Sequence, residues 1–203
     1  QRFIGIESAV ALAGEPADSP LCAWLTTLEQ YPPPMPAGAR YPELALSAPW
    51  GSYRLFAKFD LLAVAVGQRA AIIDWKTGRR QPDAHYRESW QSCLYPYLLA
   101  EAGAPYWDGA PPPADQIEML YWFADYPASP AQFHYSPAEH AANAERLDAA
   151  ITRIAGLPAE AFLPTEDAAA CVRCVYQGFC ARGVGVGLAP EDMEGEDDIS
   201  DWI

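Results

Sequence analysis

With 203 residues, 51% of them hydrophobic and 20% charged, the chain is long enough to bury one real core and too apolar for wholesale disorder. A net charge of −14 argues against a protein that coats nucleic acid, which needs a broadly basic surface. No run of about 18 apolar residues offers a membrane span and no stretch reads as a signal peptide, so the expectation is a cytoplasmic protein.

The charge is unevenly placed. Glu191–Ile203 holds seven acids and no Lys or Arg, half of the net charge; it reads as a mobile acidic tail (189–203) behind one domain (1–188). Between Arg54 and Arg87 the balance reverses: Arg54, Lys58, Arg69, Lys76, Arg79, Arg80 and Arg87 face only Asp60, Asp74 and Asp83. That segment reads either as a local basic surface or as ordinary surface charge. The chain begins at Gln1 inside a helical stretch, which implies further residues before it in the parent protein.

Phe3–Ala13 and Leu21–Gln30 read as short amphipathic helices, the second capped by Asp18 or Ser19. A proline-rich connector, Pro32–Pro33–Pro34 and Pro36, follows. Glu43–Ser47, Arg54–Val66 and Ala70–Trp75 are apolar, β-branched runs separated by Gly51 and Gly67, and predict an antiparallel meander. Tyr86–Ala102 has helical periodicity and stops near Gly103. Gln116–Ala124 predicts a buried strand and Gln132–Tyr135 a shorter partner. Pro137 opens a helix through Ala155. Cys171–Gly183 has too little periodicity for a regular element and reads as a knot around a ligand. The order α–α–β–β–β–α–β–β–α describes a mixed sheet flanked by helices.

Asp60 sits among apolar residues of the second strand, where an acid needs a partner or a metal. Asp74 ends the third strand, and alternation puts Lys76 on its face. A hairpin turning near Gly67 brings Asp60 toward both. Asp-x-Lys alone is also what a salt-bridged strand end looks like. Gln91 and Tyr95, four apart, share one face of the next helix. Two carboxylates, a lysine and polar helix residues are the parts that phosphodiester hydrolysis with a divalent cation requires.

Asp60, then Ile72–Ile73–Asp74–Trp75–Lys76–Thr77–Gly78, then Gln91 and Tyr95, resembles the RecB-type branch of the PD-(D/E)XK nucleases. That branch includes RecB and AddB nuclease domains and CRISPR-associated single-domain nucleases; standalone cyanobacterial-type RecB-like nucleases are especially similar. The resemblance spans Phe3 to Gly183 and implies an α/β (α+β) restriction-endonuclease-like core. It implies that Asp60, Asp74 and the carbonyl of Trp75 ligate Mg²⁺ or Mn²⁺. Lys76 would position or activate the attacking water, and Gln91 and Tyr95 would orient the active-site groups or the DNA backbone. The implied activity is exonucleolytic cleavage of DNA, single-stranded or with free ends, in repair, recombination or defence, with a helicase or recombination partner. The branch usually has a metal-binding histidine on its first helix, where this chain has Ile4. Glu7, one turn on, is a substitute carboxylate; Glu43 is a second candidate that also reads as a strand-edge surface acid. The departure keeps open a nuclease-like fold that binds DNA or a helicase without cutting.

Five cysteines and no secretory signal argue against a disulfide framework and favour a metal. Cys171, Cys174 and Cys180 are too close together to be three core residues. They resemble the C-terminal cluster of AddB and related iron–sulfur members, which implies a structural 4Fe–4S centre. Its fourth ligand is Cys22 or a cysteine before Gln1; zinc is the alternative metal, and gives the further reading of a zinc-stabilised interaction module. Cys93 is expected in the core. His85, His134 and His140 lack ligand spacing and are expected at the surface or in loops. The seven tryptophans are expected in the core or at interfaces, with one or two available for stacking on DNA. Gly183, Gly185 and Gly187 lack the setting of a phosphate loop.

Overall fold

The computed structural model describes residues 19–167 and, beyond them, 170, 171, 174, 176 and 180. The expected helix Phe3–Ala13 with Ile4 and Glu7, and the acidic tail, lie outside the described residues.

Helix α1 (Pro20–Gln30) starts at Ser19, whose hydroxyl accepts the Leu21 N–H at 3.2 Å. Pro20 stands where a missing N–H leaves no hydrogen bond unmade. Strand β1 (Ala39–Trp50) reaches well beyond the expected Glu43–Ser47 and includes Pro42 and Pro49. It stands at one end of the sheet order, the position at which proline's lost donor is tolerated. Strands β2 (Tyr53–Ala65) and β3 (Arg69–Lys76) complete the predicted antiparallel meander. Both turns use glycine at positive φ, Gly51 at 56° and Gly67 at 73°, a backbone region open to residues without Cβ.

The helix expected over Tyr86–Ala102 is two helices, α2 (Asp83–Glu88) and α3 (Trp90–Ala102). The break is Ser89, whose extended backbone (φ −63°, ψ 157°) ends the first helix and whose hydroxyl caps the second by accepting the Ser92 N–H at 3.1 Å. Capping by a short polar side chain outweighs the apolar periodicity that runs through it. Strand β4 (Ile117–Phe123) then pairs parallel with β3, and β5 (Ala131–His134) pairs antiparallel with β4. Helix α4 (Pro137–Ala155) has the predicted bounds, opened by Ser136, which accepts the Glu139 N–H.

The result is a mixed five-stranded sheet, β1-β2-β3-β4-β5, flanked by helices. One face buries Leu62, Val64, Ile72, Met119, Tyr121 and Phe123 against α3. The other buries Leu61, Ala63, Ala71, Ile73 and Leu120, with Met35 of the proline-rich connector and Trp75 packed on them. Cys93, Tyr97 and Leu147 join α3 to α4.

In β2 the residues on the α3 face run Leu55, Ala57, Phe59 and then Leu62, Val64; in β1 they run Leu46, Leu44 and then Tyr41. Both strands therefore reverse their in–out alternation at one place, between the Pro42–Leu61 and Leu44–Phe59 pairs. Glu43 and Asp60 occupy that place, and Glu43 takes φ 52°, the one non-glycine positive φ among the described residues. A lone reversal would turn apolar side chains to solvent; two opposite each other keep the ladder in register. The reversal sets Asp60 at the point where β2 leaves β3.

Candidate active site

Backbone pairing of β2 with β3 runs from Ala65–Arg69 to Leu61–Ile73. At the next step Asp60 Oδ2 accepts the Trp75 N–H at 2.9 Å. A side chain thus takes the ladder's place, and the carboxylate is fastened to the segment that carries Asp74 and Lys76. Burial pushes the Asp60 carboxyl above its ordinary pKa; the Trp75 N–H opposes this, Glu43 adds to it, and Lys76 and Lys58 oppose it.

Asp74 is 5% exposed. Its Oδ1 accepts from Gln91 Nε2 at 3.1 Å, and Oδ2 lies 3.2 Å from Lys76 Nζ. Oδ2 is buried and, despite that ion pair, lacks a partner with hydrogen-bond geometry. Lys76 Nζ also donates to Gln91 Oε1 at 3.2 Å. Asp74, Lys76 and Gln91 thus form a closed triangle in which the Gln91 amide has each end matched to the right partner. Tyr95, one turn along α3, accepts from Gln91 Nε2 at 3.4 Å and packs its ring on Phe59. Burial raises the Asp74 pKa to about 6; Lys76 opposes the shift, the Asp60 charge adds to it, and the close contacts of Lys76 and Gln91 with the carboxylate oppose it. Burial also raises the Tyr95 hydroxyl.

The structure therefore brings together Asp60, Asp74, Lys76, Gln91 and Tyr95, where β2 and β3 part beneath α3. Of Trp75, expected to contribute its carbonyl, the structure shows the N–H bound to Asp60 and the ring edge-on to Trp122. Mg²⁺ and Mn²⁺ are hard cations that take oxygen donors, and one or two carboxylates, completed by water and phosphate, is the usual provision for Mg²⁺. Asp74 Oδ2, buried without a hydrogen bond, is the atom that such a cation would satisfy. Among the described residues no group of three or more His, Cys, Asp or Glu is gathered closely enough to hold a metal.

Sequence reasoning missed the support beneath this cluster. Tyr121 lies opposite Asp74 in the β3–β4 ladder and is fully buried. Its ring centroid is 5.7 Å from Lys76 Nζ, and its hydroxyl lies 3.1 Å from Ser89 Oγ and 2.9 Å from Ser92 Oγ. The same tyrosine thus backs the lysine and ties down the first turn of α3, which carries Gln91. The buried hydroxyl among apolar strand neighbours was the available signal, since it demands polar partners.

Cys171 and Cys174 are half-buried and Cys180 is exposed. The Cys174 N–H donates to the Cys171 carbonyl at 3.2 Å, so backbone geometry sets the first two thiols within one turn. The donor chemistry, three thiols in a short segment, fits iron–sulfur or zinc; the three are not gathered into a site. Cys22 is half-buried on α1, which buries none of its residues fully. Cys93 is core, and burial pushes its thiol up to about 11.

One expectation is corrected. His140 is no ordinary surface residue: it stacks on Tyr97 at 4.7 Å and lies within 3.1 Å of both Tyr135 Oη and Glu101 Oε1, inside the α3–α4 contact. Of the two readings of the basic segment, its ion pairs favour ordinary surface charge. Arg69 pairs with Glu118, Arg80 with Asp83, Arg87 with Glu139 and Lys58 with Glu43, on different parts of the surface.

A mixed five-stranded sheet flanked by helices fits the restriction-endonuclease-like fold, and two aspartates, a lysine and a glutamine converge where its strands part. The sequence matches the PD-(D/E)XK nuclease superfamily over residues 15–181, and the chain belongs to that superfamily. No curated protein matches the chain. The solved structure titled "Crystal structure of SSO0001" shares 14% identity over 85% of this chain and 74% of its own, with a TM-score of 0.41, a likeness on which nothing further rests. Among the described residues no helix is long and apolar enough to cross a membrane.

Proposed function

We propose that the chain is a metal-dependent deoxyribonuclease of the RecB-like branch. It acts as an exonuclease on DNA that is single-stranded or has free ends, in repair, recombination or defence, with a helicase or recombination partner. The observation that carries this reading is the Asp74–Lys76–Gln91 triangle with Asp60 fastened to it through the Trp75 N–H. A structural ion pair needs one acid; here two acids share one small site, and the Asp60 charge adds to the burial that raises the Asp74 pKa. Such a pair is stable when a cation lies against it.

Asp60 and Asp74, with the Trp75 carbonyl, would hold Mg²⁺ or Mn²⁺. Bound there, the ion neutralises phosphate charge and makes a bound water more acidic. Lys76 Nζ, held by Asp74 Oδ2 and Gln91 Oε1, offers a further N–H toward a phosphoryl oxygen or the attacking water. Gln91 fixes the lysine and aspartate relative to each other, and Tyr95 limits the rotation of the Gln91 amide. Release of nucleotides from end-labelled DNA with Mn²⁺ is the test. Cleavage that persists at the wild-type rate in Asp74→Asn or Lys76→Ala refutes the site.

Ile4 at the histidine position favours a second reading, a nuclease-like module that binds DNA or a helicase with impaired catalysis. A large gain of cleavage in Ile4→His supports it, and no gain supports the active enzyme. Cys171, Cys174 and Cys180, with Cys22 or an earlier cysteine, we assign to a structural 4Fe–4S centre within a single 1–188 domain. Visible absorption and iron in anaerobically purified protein support that assignment; colourless protein with stoichiometric zinc replaces it with the zinc-stabilised alternative.

A further inference from the structure

Strand β2 outruns its partner. Its pairing with β3 covers Leu61–Ala65, whereas its pairing with β1 continues to Tyr53. Residues 44–59 therefore form a two-stranded arm that leads away from the sheet and has the candidate site at its root. One face of the arm, with Leu46, Ala48, Leu55, Ala57 and Phe59, is packed into the core. The other presents Arg54, Phe56 and Lys58 at alternate positions, a row with about 6.6 Å between successive side chains, and the next position in that row is Asp60.

Phe56 is 62% exposed, which burial of apolar surface does not explain. Its neighbours across the strand are low: Ser47 opposite Phe56, Ala45 opposite Lys58 and Pro49 opposite Arg54. A flat group can therefore lie on the ring. Arg54 donates to Ser47 Oγ at 2.8 Å, which engages one of its five N–H groups. Lys58 is paired with Glu43 beside Asp60, which places its ammonium at the mouth of the site.

We infer that this face is a rail for an unpaired DNA strand. One base stacks on Phe56, Arg54 meets a flanking phosphate, and Lys58 stands where the strand enters the site. The spacing of the row is of the order of one nucleotide step in an extended strand. Net charge of −14 works against long-range attraction of phosphate, so affinity has to come from short-range contacts, and stacking on an aromatic ring is the contact least sensitive to charge. The inference rests on the nuclease reading for its substrate.

The test is binding of fluorescein-labelled oligothymidylate and of a blunt duplex to the full chain in EDTA, where no cleavage competes. Phe56→Ala weakens oligothymidylate binding by about tenfold, leaves the duplex unaffected, and Phe56→Trp retains the affinity. The rail is overturned if wild type does not bind the single strand, if Phe56→Ala binds it as tightly as wild type, or if both DNAs lose equally. It is also overturned if Phe56→Ala converts a wild-type dimer to a monomer by light scattering, which makes the face a contact between copies. Cleavage with Mn²⁺ is read separately: cleavage without Phe56-dependent binding sinks the rail alone. Phe56-dependent binding without cleavage sinks the nuclease reading and leaves the rail.

Discussion

The sheet buries two carboxylates, Asp74 near the end of β3 and Glu118 near the start of β4, at 5% and 2% exposure. Each has a basic partner about 3 Å away: Lys76 at 3.2 Å for Asp74 and Arg69 at 3.0 Å for Glu118. Each also leaves one oxygen without a proper hydrogen bond. They differ in company. Glu118 is served by Gln132 at 2.8 Å and, at 3.8 Å, by His134, and its arginine reaches toward solvent on the face away from α3. Asp74 has a second acid, Asp60, and a lysine that is 13% exposed and shared with Gln91. Burial and an ion pair therefore do not set Asp74 apart from Glu118; the second carboxylate beside it does.

The largest effect that could break this comparison is on catalysis. Asp74→Asn and Lys76→Ala should each lower DNA cleavage by about a thousandfold, while Arg69→Ala leaves the rate per folded molecule unchanged. Equal losses from both pairs would erase the distinction. Stability comes next, and there the signs oppose. Arg69→Ala strands a buried charge and should lower unfolding free energy by about 2–4 kcal/mol, the lower end being favoured because Arg69 is part-exposed. Asp74→Asn should raise that of the metal-free protein at neutral pH by about 1–3 kcal/mol, since it removes a carboxylate that resists ionisation. Urea midpoints in EDTA check both.

The pH dependence sharpens the same contrast. The folded pKa of Asp74 is raised to about 6, so the folded state holds its proton longer than the unfolded state does. Its contribution to stability is present in full below about pH 4 and is lost as pH rises through 6. Wild type should lose stability relative to Asp74→Asn between those values, and divalent-cation affinity should fall below pH 6. The smallest effect belongs to Tyr121→Phe, which keeps the ring under Lys76 but frees Ser89 and Ser92. It should lower stability by about 1 kcal/mol and slow cleavage at saturating DNA, with no change in DNA affinity in EDTA.

The five residues that meet at the site were legible because local rules place them. Alternation puts Asp74 and Lys76 on one face, a glycine turn returns Asp60 to them, and helical spacing aligns Gln91 with Tyr95. Helix Pro137–Ala155 was legible from its proline start and apolar stripe. What escaped depends on partners distant in sequence. Tyr121 supports Ser89 and Ser92 across 32 and 29 positions, and His140 reaches Glu101 across 39. Ser89 breaks a helix whose apolar pattern continues straight through it. The alternation of β2 reads as unbroken apolar residues from Leu61 onward, so its reversal at Asp60 leaves no trace until β1 is laid beside it.

That reversal uncouples two surfaces that one continuous ribbon would have to share. Because the inward and outward sides are reassigned at Glu43 and Asp60, the stretch that packs Leu55, Ala57 and Phe59 inward and the stretch that buries Leu62 and Val64 are out of step by one residue yet share one core. A single insertion or deletion in either strand at that point would turn the apolar side chains of one stretch to solvent.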